Sequence, residues 1–126
     1  MAARTPHRQT ALLVYDTSAQ GLPSGVRAVA TRARRVLYST DDVEIMLQIS
    51  RDPAEGDSAM LGQVLMDGLP VEDCVVTMRF GTEERETSLD EEGEFRVKGL
   101  RDGEYSLVVS NHSWEVGLPE LYLAAA

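Results

Sequence analysis

From Val43 onward apolar and polar residues alternate. Val43, Ile45, Leu47 and Ile49 fall on one phase and Glu44, Met46, Gln48 and Ser50 on the other, the period of a strand with one buried face. A loop containing Pro53, Gly56 and Asp57 ends this run. Further short runs over 59–66, 74–80, 84–89, 94–97, 105–110, 113–116 and 121–123 predict strands at the regular spacing of an all-β sandwich. Within them Cys74, Val76, Met78 and Phe80 share a phase, as do Phe95 and Val97, and Tyr105, Leu107 and Val109; these are the candidate core. Upstream the pattern changes. Residues 10–16 read as a short strand and 18–25, with Gly21, Pro23 and Gly25, as a loop. After Ser24 as N-cap, Val26, Val29, Ala30, Ala33, Val36 and Leu37 recur every three or four residues, which predicts an amphipathic helix over 26–38. Its polar face would carry Arg27, Arg32, Arg34 and Arg35.

The turns between these runs have a mechanical reading. Asp90-Glu91-Glu92-Gly93 closes a hairpin before Phe95 enters the core, and the segment ending at Gly103 does the same before Tyr105. Taken in order, Leu61-Gly62-Gln63-Val64, Gly68-Leu69-Pro70-Val71, Asp90 to Val97 and Gly103-Glu104-Tyr105-Ser106-Leu107 resemble carboxypeptidase regulatory-like domains of the transthyretin-like, CnaB-related type. That resemblance implies a seven-stranded Ig-like or prealbumin-like Greek-key β-sandwich over 41–126, preceded by a basic lead segment, 1–40, with a short helix. It implies no chemistry of the domain's own. The lead segment is similar to that of small bacterial stand-alone proteins of this type. Two relatives of the fold fit less well. Hydroxyisourate hydrolases carry several active-site histidines and a C-terminal Tyr-Arg-Gly-Ser, which this chain lacks, and the isopeptide of CnaB domains needs an early lysine, whereas the only lysine here is Lys98 and the only asparagine Asn111.

Charge divides the chain in the same place. Residues 1–40 hold six arginines against one acid, Asp16, whereas 41–126 hold six basic residues against twenty acids, for a net charge of -9. With 126 residues and 43% hydrophobic content, the length fits one domain with one core. No secretory pattern opens the sequence and no run approaches the length of a membrane helix, so a cytoplasmic protein without membrane insertion is expected. One cysteine, Cys74, agrees with a reducing compartment.

Candidate chemistry is sparse. The acids at Asp90, Glu91, Glu92 and Glu94 lack the ligand spacing of a calcium loop, and Glu83, Glu84 and Glu86 around Arg85 read as the charges that protect an edge strand. Cys74 sits on an inward phase, and two histidines with one cysteine do not complete a structural zinc site. No catalytic, metal or cofactor-binding residue is therefore expected, and the chain is read as a non-enzyme. The candidate binding residues are Arg27, Arg32, Arg34, Arg35 and Trp114. The leading expectation is an accessory module for a larger protein partner, docked through the helix or an open sheet edge. Two alternatives are glycan or small-ligand binding at Trp114 and anionic-surface or nucleic-acid binding by the arginines. The acidic body opposes a polyanion, and no aromatic residue interleaves the arginines to stack on bases.

Overall fold

The alternating run that begins at Val43 becomes the middle of a sheet. The computed structural model describes residues 7–17, 34–51, 56–71 and 73–123, and every element named in them is a strand. One sheet runs in spatial order β1 (His7–Thr10), β11 (Trp114–Gly117), β10 (Gly103–Ser110), β7 (Val75–Phe80) and β8 (Glu83–Ser88), with β12 (Leu121–Leu123) also on β10. The second runs β2 (Leu12–Asp16), β3 (Arg34–Ser39), β4 (Val43–Arg51), β5 (Ser58–Met66) and β6 (Leu69–Pro70), with β9 (Glu94–Leu100) also on β5. All pairings are antiparallel except β1 with β11. The inward residues of both sheets form one core, which is the β-sandwich expected from the alternation.

Two expectations are corrected. Twelve strands are described rather than the seven that the resemblance implied; nine runs were read as strands from the sequence, and β1, β3 and β6 were not among them. The predicted helical lead is overturned where it can be seen: its C-terminal part, 34–38, lies in β3 (Arg34–Ser39), paired along its whole length with Glu44–Ile49 of β4. The other residues of that prediction, 26–33, lie outside the described residues. The physical reason is tertiary. β4 is central and needs a hydrogen-bonded neighbour on each edge, and Val36 and Tyr38 bury their side chains in the core from an extended chain. Valine and tyrosine have weak helical preference, so this pairing outweighs the local three- and four-residue periodicity.

The first strand prediction, 10–16, splits at Ala11. There the chain leaves one sheet for the other, and Ala11 is fully buried with its N–H donated to the Gly117 carbonyl at 2.9 Å. Most of the expected core is buried as read, with Phe80 and Val97 half-buried against it. Close approach explains one motif glycine: a Cβ on Gly62 would run into the ring of Phe95, its cross-strand neighbour. Gly93 has φ 74° and closes the turn in which its N–H meets the Asp90 carbonyl at 3.0 Å. Tyr105 stacks on Phe80 with ring centroids 4.7 Å apart, and its hydroxyl donates to the Arg101 carbonyl at 2.7 Å. The bond ties the start of β10 back to the turn that precedes it.

Candidate functional site

The structure disperses the residues singled out from the sequence. Arg27 and Arg32 lie outside the described residues. Arg34 and Arg35 fall on opposite faces of β3, as neighbours on a strand must. Arg34 points inward at one end of the sandwich: its Nε and Nη2 donate to Asp16 at 2.9 and 2.5 Å, and its Nη1 donates to the Tyr122 carbonyl of the other sheet at 2.7 Å. The bonds to Asp16 raise its already high pKa, and the three bonds together tie β2, β3 and β12. Arg35 is exposed, and its backbone N–H donates to Thr17 Oγ1 at 2.9 Å. Trp114 is half-buried and packed on the core.

Groups with chemical potential are engaged in structure. Asp90 Oδ1 accepts from the N–H groups of Glu92 and Glu94, both at 2.9 Å, and so shapes its turn. Burial pushes the Cys74 thiol above its ordinary pKa, away from the reactive thiolate. Asn111 Oδ1 accepts from Ser113 and Trp114 N–H groups at 2.7 and 2.9 Å, while Lys98 is exposed on β9. Among the described residues no three histidine, cysteine or acidic side chains converge as a metal site would require.

What distinguishes this sandwich is its outside. The outer face of the first sheet is polar, with Thr77, Ser106 and Ser110 beside the ion pairs Arg8–Glu115 (3.2 Å) and Arg79–Glu84 (2.9 Å) around an open depression of about 430 Å³. The outer face of the second sheet is apolar at its centre. Cross-strand register sets Tyr15, Leu37 and Met46 side by side, with Gln63 opposite Met46 on β5 and Leu61 and Leu65 to either side of it, and the Tyr15 hydroxyl donates to Met46 Sδ at 3.5 Å. These side chains are half-buried and stand apart from the core cluster.

The face continues onto an edge. β2 pairs only with β3 among the described strands, and its Leu12, Leu13 and Val14 are 73%, 51% and 53% exposed. The register shifts between Leu13 and Tyr15, which leaves Val14 without an opposite residue on β3. No family model, no curated protein and no solved structure matches this chain. Its functional reading therefore rests on its own residues. Among the described residues no helix is long and apolar enough to cross a membrane.

Sequence reasoning placed binding on the arginines and Trp114 and missed this surface. The signal was present: Leu12 to Tyr15 is an unbroken apolar run in a segment read as a strand, where one buried face would require only every second residue to be apolar. Leu37, Met46, Leu61 and Leu65 carry the same signal on the outward phase once β3 is known to be a strand.

Proposed function

We propose that this chain is a non-catalytic protein-interaction module whose partner adds to the β2 edge and rests on the apolar outer face beside it. The observation that carries this reading is the uncharged run Leu12-Leu13-Val14, exposed on a strand that pairs on one side only among the described strands. Open edges offer unpaired backbone donors and acceptors, and proteins blunt them with charge, bulges or covering segments; β2 has the bulge at Val14 but no exposed charge of its own. Strand addition meets those groups with main-chain hydrogen bonds while the side chains give apolar contact. Burying each of the three side chains is worth on the order of 1–2 kcal/mol, enough with the backbone bonds for a reversible complex. The resemblance to carboxypeptidase regulatory-like domains supports the absence of chemistry, and the lone, unpaired Cys74 supports a reducing, cytoplasmic setting.

The test is affinity capture from the native host with the full chain and with Leu13→Lys, followed by amide hydrogen exchange on the complex. A stoichiometric protein captured by the unaltered chain, lost with Leu13→Lys, and slowing exchange along β2 is the expected result. Capture that survives Leu13→Lys, with exchange along β2 unaffected, would overturn the reading.

A further inference from the structure

Charge on the outer face of the second sheet is sorted by sign, and the sorting specifies what fits there. In a chain with a net charge of -9 most cations find an acid: Arg8, Arg34, Arg51, Arg79 and Arg101 each meet one within 3.2 Å, and Arg85 donates to the Lys98 carbonyl at 2.9 Å. Arg35, Arg96 and Lys98 meet no acid among the described residues, and all three are exposed on this one face. Register places them. Arg35 stands opposite Gln48, Gln48 opposite Leu61 and Leu61 opposite Arg96, so one row crosses four strands with an arginine at each end, three strand spacings or about 14 Å apart. Lys98 follows Arg96 where the register of β9 shifts opposite Ala59. The neighbouring row on the same face is Tyr15, Leu37 and Met46, then Gln63 and Glu94. Beyond it the exposed charges are acidic, Glu44 on β4 and Asp41 and Asp42 in the turn before it. The face therefore has a basic side, an apolar row and an acidic side.

We propose that the partner segment lying on this face is acidic along one side and apolar along the other, its apolar residues on Tyr15, Leu37 and Met46 and its carboxylates toward Arg96, Lys98 and Arg35. This rests on the reading of the outer face as a docking surface. Gln48, Ser50, Ala59, Leu61, Arg96 and Lys98 line an open depression of about 240 Å³. Its described lining offers two cations, an amide and a hydroxyl and no acid, a donor set suited to a carboxylate. Arg35 stands too far away to share that carboxylate and takes another, which requires the segment to run along the row rather than end in the depression. A segment that covers the apolar row excludes water there and so strengthens its own contacts with the three cations. A nucleic acid or an anionic membrane fits less well. Either would spread negative charge over the whole face and set it against Glu94, Glu44, Asp41 and Asp42, whereas carboxylates confined to one side of a segment stay clear of those acids.

Fluorescence anisotropy with two synthetic peptides tests this, one with leucine along one side and glutamate along the other, and one with lysine in place of glutamate. The full chain should bind the glutamate peptide about tenfold more tightly than the lysine peptide, against the direction set by its net charge of -9. Arg96→Glu with Lys98→Glu should weaken that binding about tenfold, and Arg35→Glu by less, with the melting temperature unchanged. Arg8→Glu with Arg79→Glu, the same change of net charge on the other sheet, should leave it within about twofold. A preference for the lysine peptide, or a loss shared equally by the substitutions on the two sheets, overturns the proposal. So does a fall in melting temperature with Arg96→Glu and Lys98→Glu, which would show these cations held by the chain itself. Binding to phosphatidylglycerol vesicles or to single-stranded DNA, lost with the same substitutions and without preference between the peptides, overturns it in favour of another ligand class. The host-capture experiment separates the two readings. A protein lost with Leu13→Lys but retained by Arg96→Glu with Lys98→Glu leaves the docking surface with a partner of other chemistry and removes the acidic segment. Selective binding of the glutamate peptide together with capture indifferent to Leu13→Lys removes the β2 edge and keeps the acidic segment on the face.

Discussion

Among the described strands β2 and β8 both end a sheet, and they treat their outer edges in opposite ways. β8 carries Glu83, Glu84, Arg85 and Glu86, all exposed, and is tied back by Arg101, which bonds Glu83 at 2.8 Å and lies over the Phe80 ring at 5.3 Å. β2 carries Leu12, Leu13 and Val14, also exposed, and is tied back by Arg34. Because both sheets share one core, the difference cannot come from the demands of folding, which concern the inward residues. It lies in what each edge does with water and with neighbouring chains. A charged edge keeps other strands off; an apolar one is left open to them at a cost in solubility.

That comparison can be broken at several points. The largest effect should come from cutting the tie of β2. Arg34→Ala removes both bonds to Asp16 and the bond to the Tyr122 carbonyl, and should lower stability by about 2–3 kcal/mol in chemical denaturation, with β2 amides exchanging faster than those of β8. Next, Glu84→Val with Glu86→Val gives the outward side of β8 the chemistry of β2. Self-association should then strengthen about tenfold in sedimentation, an effect of ~1.4 kcal/mol, while the monomer's melting temperature changes little.

On the β8 side, Tyr105→Phe removes the hydroxyl bond to the Arg101 carbonyl and should cost about 1 kcal/mol at neutral pH. Burial raises the pKa of Tyr105, so the fold favours the neutral phenol. The stability that follows is complete below the unfolded value of about 10 and is lost as pH rises above it. The stability of Tyr105→Phe should accordingly fall less steeply above pH 10 than that of the unaltered chain, leaving Tyr38, raised for the same reason, as a remaining contributor. The smallest effect belongs to Arg79→Ala. Its pair with Glu84 is exposed on both sides, and its loss should change stability by less than about 0.5 kcal/mol.

Much of the sandwich was legible because strand alternation reports burial directly. The runs that became β4, β7 and β10 were read with their inward residues correct, and the glutamates of β8 were read as edge protection. The candidate site was not legible in the same way. Arg34 and Arg35 suggested a common helical face, yet on β3 one bonds inward to Asp16 and the other faces water. A three- and four-residue spacing of apolar positions over so short a stretch is shared by a helix and by a strand whose two faces are both partly apolar, and only the neighbour across the hydrogen bonds separates them.

The sequence by itself determined the dominance of strands, the inward phase of β4, β7, β9 and β10 and the turns at Gly93 and Gly103, because these depend on residue type and local periodicity. The tertiary structure decided the rest. It made Arg34–Ser39 a strand, because β4 required a partner on that side, and it moved the chain between sheets at Ala11. It also placed Leu12 to Val14 on an edge and aligned Tyr15, Leu37 and Met46 across three strands. Edges and faces arise from pairings between residues far apart in the chain, and no local pattern encodes which strand will be left with nothing beside it.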